Sequence, residues 1–127
     1  MNPKRAYQEA AVRGASPVRL TILLYDQLVQ DVSRATAALK SAQIEQCAQQ
    51  IGHGIAVIGY LQATLRYDTG RDVARNLGRF YTMLREKLME AQVRSSQEIL
   101  GEVQTQLLEV RAAWVKVEAE TATTERA

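Results

Sequence analysis

Histidine and cysteine, the side chains most often used in metal and nucleophilic chemistry, occur once each in this chain, as His53 and Cys47. A metal site built on His53 needs further ligands, but the residues three and four positions away are glutamines, an alanine and a valine. We therefore expect His53 to be a partly exposed helix residue that neither binds a metal nor transfers protons. Cys47 lies at core spacing between Ile44 and Ile51, which favours a buried small hydrophobic residue over a catalytic thiol.

The remaining candidate motifs are a Gly-His-Gly sequence at 52–54 and acidic pairs such as Glu86 and Glu90. The Gly-His-Gly sequence lacks the strand, the spacing and the lysine of a phosphate-binding loop. The di-metal motif of helical bundles needs Glu-x-x-His and inward-facing glutamates, and neither is present. Acidic pairs one turn apart are typical of solvated helix faces. The sequence therefore predicts a protein that is not an enzyme and that has no cofactor and no metal site.

The composition predicts one helical domain. A chain of 127 residues is long enough to bury a single core. With 46% hydrophobic and 24% charged residues it is an ordinary globular sequence, so we expect no wholesale disorder. Only Pro3 and Pro17 are prolines, which leaves more than a hundred residues without a proline break and favours long helices over a turn-rich β fold.

Charge and cysteine content argue against several classes of function. Sixteen basic and fourteen acidic residues give a net charge of +2, without a basic run that could follow a phosphate backbone, so we expect no nucleic-acid binding. A single cysteine excludes an internal disulfide framework and fits a reducing compartment. We see no secretory signal and no apolar run approaching the ~20 residues of a membrane span. These features predict a cytoplasmic protein that does not insert into membranes.

Three of four predicted long helices have clear start signals. Ser16 is a good N-cap, and Pro17 fits the first helical position, so the first helix should extend from Pro17 to about Lys40. Asp68 or Thr69 can cap the third helix, which should end in a turn at Gln92 to Ser95. Ser95 to Glu98 fits a capping box for the fourth. The predicted inward residues are Leu20, Leu24, Leu28, Val32, Ala35 and Leu39 of the first helix, Val73, Leu77, Phe80 or Tyr81, Leu84, Leu88 and Ala91 of the third, and Ile99 or Leu100, Val103, Leu107, Val110, Trp114 and Val117 of the fourth.

The second predicted helix, Ile44 to Leu65, has the right apolar spacing but an unusual composition. Gly52, Gly54 and Gly59 lie inside it, and each interior glycine costs a helix about 1 kcal/mol relative to alanine. The sequence at 55–58 also suits a strand, so a helix break or a short sheet segment is the alternative. We predict a helix here, because residues from Ile44 to Leu65 keep a spacing of three or four.

Four amphipathic helices joined by short turns predict an all-α fold, an antiparallel up-down four-helix bundle with a short N-terminal cap segment. We divide the chain into a flexible arm or cap helix at 1–15, the bundle at 16–119 and a polar, disordered tail at 120–127.

Four sequence blocks also carry a resemblance to a known family. They are Ser16–Asp26, Leu61–Leu65 with Tyr67 and Asp68, Ala74–Leu77 with Phe80 and Tyr81, and Leu107–Trp114. In this order and spacing, from about Tyr7 to Trp114, the chain resembles the FliS family of flagellar export chaperones. The resemblance implies a cytoplasmic chaperone that binds the disordered C-terminal region of flagellin, prevents premature polymerisation and delivers its client to the flagellar type III export apparatus. Export-gate components or a co-chaperone are further partners that it implies.

The candidate partner-binding residues come from two sources. Tyr7 and Tyr25 match family positions, and the resemblance implies that the arm around Tyr7 covers a groove until the client displaces it. Ile22, Tyr60, Tyr81 and Leu108 are expected off the inward stripes and can form either a groove for a client helix or a wide core face. The alternative function is a structural or adaptor bundle that buries these residues in a homodimer and has no export role.

Overall fold

The computed structural model describes residues 3–126, without the side chains at positions 3, 4, 7, 11, 67–69 and 123–126. It contains five helices, α1 (Pro3–Val12), α2 (Pro17–Lys40), α3 (Ile44–Ala63), α4 (Tyr67–Arg94) and α5 (Gln97–Arg126). Residues 3–126 include no strand. The predicted all-α class is confirmed, and the four long predicted helices correspond to α2, α3, α4 and α5.

Helix α2 begins at the predicted cap. Ser16 has an extended backbone, and its Oγ accepts a hydrogen bond from the backbone N–H of Arg19 at 3.1 Å. Pro17 is the first helical residue, where its missing N–H leaves no hydrogen bond unmade. The helix ends in a turn in which Ala42 has a left-handed backbone with φ of 57°, and Gln43 N–H donates to the carbonyl of Ala38 at 2.8 Å.

The glycine-containing segment is helical, as predicted, and one of its glycines lies at a close approach. A Cβ at Gly54 would meet Leu28 Cδ1 of α2 at 3.2 Å and Leu88 Cδ1 of α4 at 3.8 Å. At Gly52 and Gly59 such a Cβ would meet no described atom within 4 Å. The absence of a side chain at Gly54 therefore lets the leucines of both neighbouring helices reach the α3 backbone.

The four long helices form a bundle around one core. Helix α2 contacts α3 and α5, and α4 contacts the same two helices, while α1 packs on α2 and α3. Burial of a leucine or isoleucine side chain stabilises the fold by about 1.5–3 kcal/mol. Large side chains of this core with at most 1% exposure are Tyr25, Leu28, Ile51, Ile58, Leu61, Tyr81, Leu84, Leu88, Leu100 and Leu107.

Most of the predicted inward residues are buried, but the expectation is wrong at several positions. Ile44 is 57% exposed as the first residue of α3, and Val73 is 65% exposed just after Arg71, where a φ of 44° interrupts the helical periodicity. Ile22, expected off the inward stripe, is 0% exposed, and Tyr81, expected both as an alternative to Phe80 on the stripe and as an off-stripe contact, is 1% exposed. Contacts with α1, α3 and α5 cover more than one face of α2, and Tyr81 belongs to the stripe that continues at Leu84.

The start of α5 is offset by one residue from the predicted capping box. Ser95 has a left-handed backbone with φ of 50° and ends α4, while Ser96 N–H donates to the carbonyl of Ala91 at 3.0 Å. The cap of α5 is Ser96, whose Oγ accepts a hydrogen bond from Ile99 N–H at 3.1 Å. At the start of α4, Asp68 and Thr69 lie in a first helical turn that precedes the non-helical backbone of Arg71, and their side chains are outside the described part.

Helix α5 extends beyond the predicted end of the bundle. It continues to Arg126, so the division at residue 119 does not coincide with a helix end and stays a prediction, as do the other segment boundaries. It is joined to α2 by two ion pairs. Arg19 Nε donates to Glu118 Oε2 at 2.7 Å, with a second guanidinium nitrogen on Glu118 Oε1, and Arg111 pairs with Asp26.

Candidate functional site

Three aromatic side chains from three helices meet inside the bundle. The hydroxyls of Tyr25 on α2 and Tyr81 on α4 are 2.9 Å apart in a buried hydrogen bond, and the two rings pack edge to face with centroids 6.2 Å apart. Trp114 on α5 packs edge to face against Tyr25, with centroids 6.5 Å apart. Helices α2 and α4 lie diagonally across the ring of four helices, so the tyrosine pair connects the bundle through its centre.

Both tyrosine hydroxyls are shielded from water. Burial raises the pKa of Tyr25, partly offset by hydrogen bonds with Tyr81 and Trp114. Burial also raises the pKa of Tyr81 far above its ordinary value, and the neighbouring Tyr25 raises it further. Neither hydroxyl is therefore suited to act as a base near neutral pH, and the pair is a neutral hydrogen-bonded contact.

Tyr81 and Trp114 of this cluster line an open apolar groove of about 260 Å³. We call it the Trp114 groove; among its lining residues are Val18, Leu65, Val73, Leu77, Tyr81 and Trp114. Val73 is 65% exposed at this surface. The groove offers an apolar side chain of a partner a site where it can leave water.

A larger groove of about 590 Å³ lies between α1 and α2. We call it the α1 groove; its apolar lining consists of Ala6, Ala10, Leu20, Leu23, Leu24 and Val29. Ala10 is 6% exposed against its neighbours, whereas Leu23 is 42% exposed. Gly14, with φ of 81°, forms the turn that folds α1 back over α2. Helix α1 therefore supplies one wall of an otherwise open apolar surface.

A buried polar network connects the α1 groove with α3. Gln27, which lines the groove, donates through Nε2 to Asp31 Oδ1 at 3.0 Å. Asp31 Oδ2 lies 2.6 Å from Nδ1 of His53, and Asp31 is 1% exposed. The residues one helical turn from His53 offer no carboxylate, and its partner comes instead from another helix.

The six predicted partner-binding residues occupy different environments. Tyr7 lies on α1, and its side chain is outside the described part. Ile22, Tyr25 and Tyr81 are at most 1% exposed, so a partner reaches them only through neighbouring side chains or a rearrangement. Tyr60 is partly buried against the core, and Leu108 is 49% exposed on α5. Among the five of these residues whose side chains the structure describes, only Tyr81 lines either apolar groove.

The sequence analysis did not single out Leu23, which lines the α1 groove, or the buried Asp31. Leu23 is off the inward stripe of α2, and its exposure on the α1 groove depends on where α1 docks. Asp31 carried a readable signal, because it lies three residues after Leu28 and four before Ala35, both inward positions. An acidic residue on an inward stripe requires a buried partner, and His53 is that partner.

The described residues contain no group of three or more histidine, cysteine, aspartate or glutamate side chains placed to hold a metal ion. Within the same residues, no helix combines the length and apolar character needed to cross a membrane. Cys47 is buried, and its burial raises the pKa of the thiol. The fold and its surfaces define an all-α bundle whose prominent features are apolar grooves.

Comparison with known proteins identifies the particular family. The family profile described as "Flagellar protein FliS" matches residues 1–121, and the chain belongs to this family. It is 34% identical over 118 residues to flagellar secretion chaperone FliSB of Pseudomonas aeruginosa, an alignment that covers 90% of this chain and 94% of that protein.

Two further relatives are named flagellar secretion chaperone FliS. The Bacillus subtilis protein is 26% identical over 113 residues, covering 89% of this chain and 84% of the relative. The Salmonella typhimurium protein is 27% identical over 110 residues, covering 86% of this chain and 82% of the relative. The homologues are chaperones and not enzymes, which supports a non-enzymatic role for this chain.

Proposed function

We propose that this chain is a cytoplasmic export chaperone that binds the disordered C-terminal region of flagellin. In this role it prevents premature polymerisation and delivers the client to the flagellar type III export apparatus. The observation that carries the proposal is membership of the FliS family across residues 1–121, together with relatives named flagellar secretion chaperones.

The proposal includes an antiparallel up-down arrangement of α2 to α5. Three-residue connections follow α2 and α3, and a two-residue connection follows α4, which favours antiparallel neighbours. The ion pairs between α2 and α5 support the same arrangement. Arg19 and Asp26 are seven residues apart on α2, and their partners Glu118 and Arg111 are seven apart in the opposite chain direction on α5.

The α1 groove is the surface on which we place the client. A disordered segment that folds into an amphipathic helix can bury its apolar side chains against Leu20, Leu23 and Leu24. The cost of ordering the client lowers the net affinity, which suits transfer to an export apparatus. Because α1 already covers part of this surface, the client must share the groove with α1 or displace it.

The candidate contact residues divide according to their exposure. Tyr7, Tyr60 and Leu108 are proposed as direct contacts, at positions on α1, α3 and α5. Ile22, Tyr25 and Tyr81 are proposed as buried supports that hold the groove-lining segments in place. The Trp114 groove is a second place for a client side chain, next to Tyr81.

Calorimetric titration with the C-terminal ~50 residues of flagellin from the same cell tests the proposal. Coupled folding and binding predicts saturable one-to-one binding with a large negative ΔCp, and with favourable enthalpy offset by the entropy of ordering. Absence of binding by a folded, helical sample would refute the flagellin assignment.

Substitutions on exposed leucine and valine residues locate the client. Leu23→Asp places a charge on the α1 groove, where Leu23 is 42% exposed, and we expect binding at least about tenfold weaker. The matched control is Val93→Asp on α4, because Val93 is 86% exposed and lines neither groove. Equal loss in both variants would mean that the client does not use the α1 groove.

A further inference from the structure

Arginine is concentrated in the first part of α4 and just before it. Between Arg66 and Arg85 the sequence has five arginines and two aspartates, although the whole chain has nearly equal numbers of basic and acidic residues. Arg75 and Arg79 are exposed and one helical turn apart, so they lie on one face about 6 Å apart along the axis. The face that carries Arg75 and Arg79 thus has two neighbouring basic groups, with Asp72 before them and Glu86 after them.

Arg75 and Arg79 border a depression of about 430 Å³ between α4 and the end of α3, which we call the α3–α4 depression. Its other lining residues are Gln62, Gly78, Thr82, Met83 and Glu86. Gln62 is held in place because its amide nitrogen donates to Thr82 Oγ1 at 3.3 Å and its amide oxygen accepts from Arg85. The floor of the depression is therefore fixed by contacts between α3 and α4.

The two arginines are available for an external carboxylate. Arg75 Nη1 lies 3.5 Å from Asp72 Oδ1, but the two side chains are 65% and 89% exposed. An exposed pair of this kind is weak and can exchange for another carboxylate. Arg79 has no carboxylate partner within the part of the chain that the structure describes.

The order of residues along the depression favours a protein helix over a polyanion. Two guanidinium groups one turn apart match two carboxylates one turn apart on a partner helix, in bidentate geometry. Gly78 and Met83 then offer a short apolar contact. Glu86 lies two turns beyond Arg79, about 10 Å further, where it would repel the next phosphate of a nucleic acid but attract a lysine.

We infer that the α3–α4 depression binds an acidic amphipathic helix of a partner protein, whose carboxylates pair with Arg75 and Arg79. The partner helix has two acidic residues one turn apart, an apolar residue in the middle and a basic residue toward Glu86. The depression shares no lining residue with the α1 groove or the Trp114 groove, so this inference does not depend on the flagellin proposal.

The test uses the full chain and a fluorescent alanine-based helical peptide of about 20 residues with this charge order. We expect saturable binding in fluorescence anisotropy that weakens as salt is raised. The Arg75→Gln/Arg79→Gln variant should bind this peptide about tenfold more weakly than the wild type does. The wild type should show a similar loss with a second peptide in which glutamines replace the two acidic residues.

The matched control is Arg34→Gln/Lys40→Gln, which removes the same charge from exposed positions on α2 and should bind like the wild type. Because all four residues are exposed, unchanged circular dichroism and thermal midpoint should accompany both variants. No peptide binding by the wild type, or equal loss in both variants, would overturn the inference. Tighter binding of a single-stranded oligonucleotide that is lost in the Arg75→Gln/Arg79→Gln variant would overturn it in favour of a phosphate surface.

Binding of the flagellin fragment by the Arg75→Gln/Arg79→Gln variant separates the two proposals. Unchanged fragment binding, with loss of peptide binding, supports a separate partner surface. If this variant loses fragment binding while the control variant keeps it, the depression is part of the surface that binds flagellin. That result would overturn the inference of a separate partner.

Discussion

The carboxylate of Asp31 on α2 lies 2.6 Å from Nδ1 of His53 on α3, and its second oxygen accepts a hydrogen bond from Gln27 at 3.0 Å. Asp31 is 1% exposed, so these two contacts replace its hydration. The pair lies beside Gly54, where a Cβ would be 3.7 Å from the Cβ of Asp31. A polar contact and a glycine close approach therefore fix α3 against α2 at the same point.

The first prediction concerns the loss of His53. His53→Ala leaves Asp31 buried with Gln27 as its remaining hydrogen-bond partner, and we expect the free energy of unfolding to fall by about 1–3 kcal/mol. Urea unfolding followed by circular dichroism measures the loss. Gln49→Ala, at an exposed position on the same helix, is the control and should stay within about 0.5 kcal/mol of the wild type.

A double variant tests whether Asp31 and His53 stabilise the fold as a coupled pair. Asp31→Leu/His53→Leu replaces both polar groups with apolar side chains, and it should lose less stability than the two single substitutions together. Additive losses would contradict a coupled pair.

The second prediction follows from the buried tyrosine pair. Burial raises the pKa of Tyr25 and Tyr81 in the folded protein, so their contribution to stability is complete below the unfolded pKa of about 10 and is lost as pH rises above it. We expect the thermal midpoint of the wild type to fall more steeply above about pH 10 than that of Tyr25→Phe/Tyr81→Phe. Far-ultraviolet circular dichroism measures both thermal midpoints. If the midpoints of the two proteins fall in parallel as pH rises, ionisation of the buried tyrosines is excluded as the cause.

The third prediction uses two neighbouring serines with different roles. Ser96→Ala removes the cap that accepts from Ile99 N–H and should cost about 1 kcal/mol. Ser95→Gly should instead stabilise the chain by up to about 1 kcal/mol, because Ser95 has a φ of 50°. Urea midpoints that move in opposite directions support this assignment. A larger loss of stability in Ser95→Gly than in Ser96→Ala would instead support the capping box at Ser95 that the sequence predicts.

The fourth prediction concerns the alignment of α2 and α5. Arg111→Asp places a carboxylate opposite Asp26 and should destabilise the protein by about 1 kcal/mol, since the paired side chains are about a third to a half exposed. The swapped variant Asp26→Arg/Arg111→Asp should recover most of this loss. Asp26 raises the pKa of Arg111, which stays charged at ordinary pH, so salt and not pH is the useful variable. Recovery that persists unchanged in 1 M salt would argue against an ion pair.

The sequence was sufficient for the long helices, because their apolar periodicity and the Ser16-Pro17 start are local signals. It was less reliable where contact with a second helix decides whether a residue is buried or which group it pairs with. Ile22 is buried because several helices cover α2, and His53 has a carboxylate partner that lies twenty-two positions away along the chain. Ser95 and Ser96 are both acceptable caps by type, and only the left-handed backbone of Ser95 distinguishes them.

The candidate grooves were harder to predict than the helices that form them. Leu23 and Ala10 line the same groove because Gly14 turns α1 back over α2, and nothing in the apolar spacing of either helix specifies that arrangement. The Arg75 and Arg79 face is different, since one-turn spacing makes it readable from sequence once α4 is known to be helical there.

The fifth prediction asks whether α1 competes with the client for the α1 groove. Ala10 is 6% exposed against the bundle, so Ala10→Glu buries a charge and should release α1, whereas Gln8→Glu adds the same charge at an exposed position of the same helix. If the client displaces α1, Ala10→Glu should bind the flagellin fragment several-fold more tightly, because α1 no longer has to be removed first. Faster tryptic cleavage after Arg13 in Ala10→Glu, but not in Gln8→Glu, reports the release directly. Weaker fragment binding by a released α1 would instead mean that α1 forms part of the client-binding surface, with both walls of the groove holding the client.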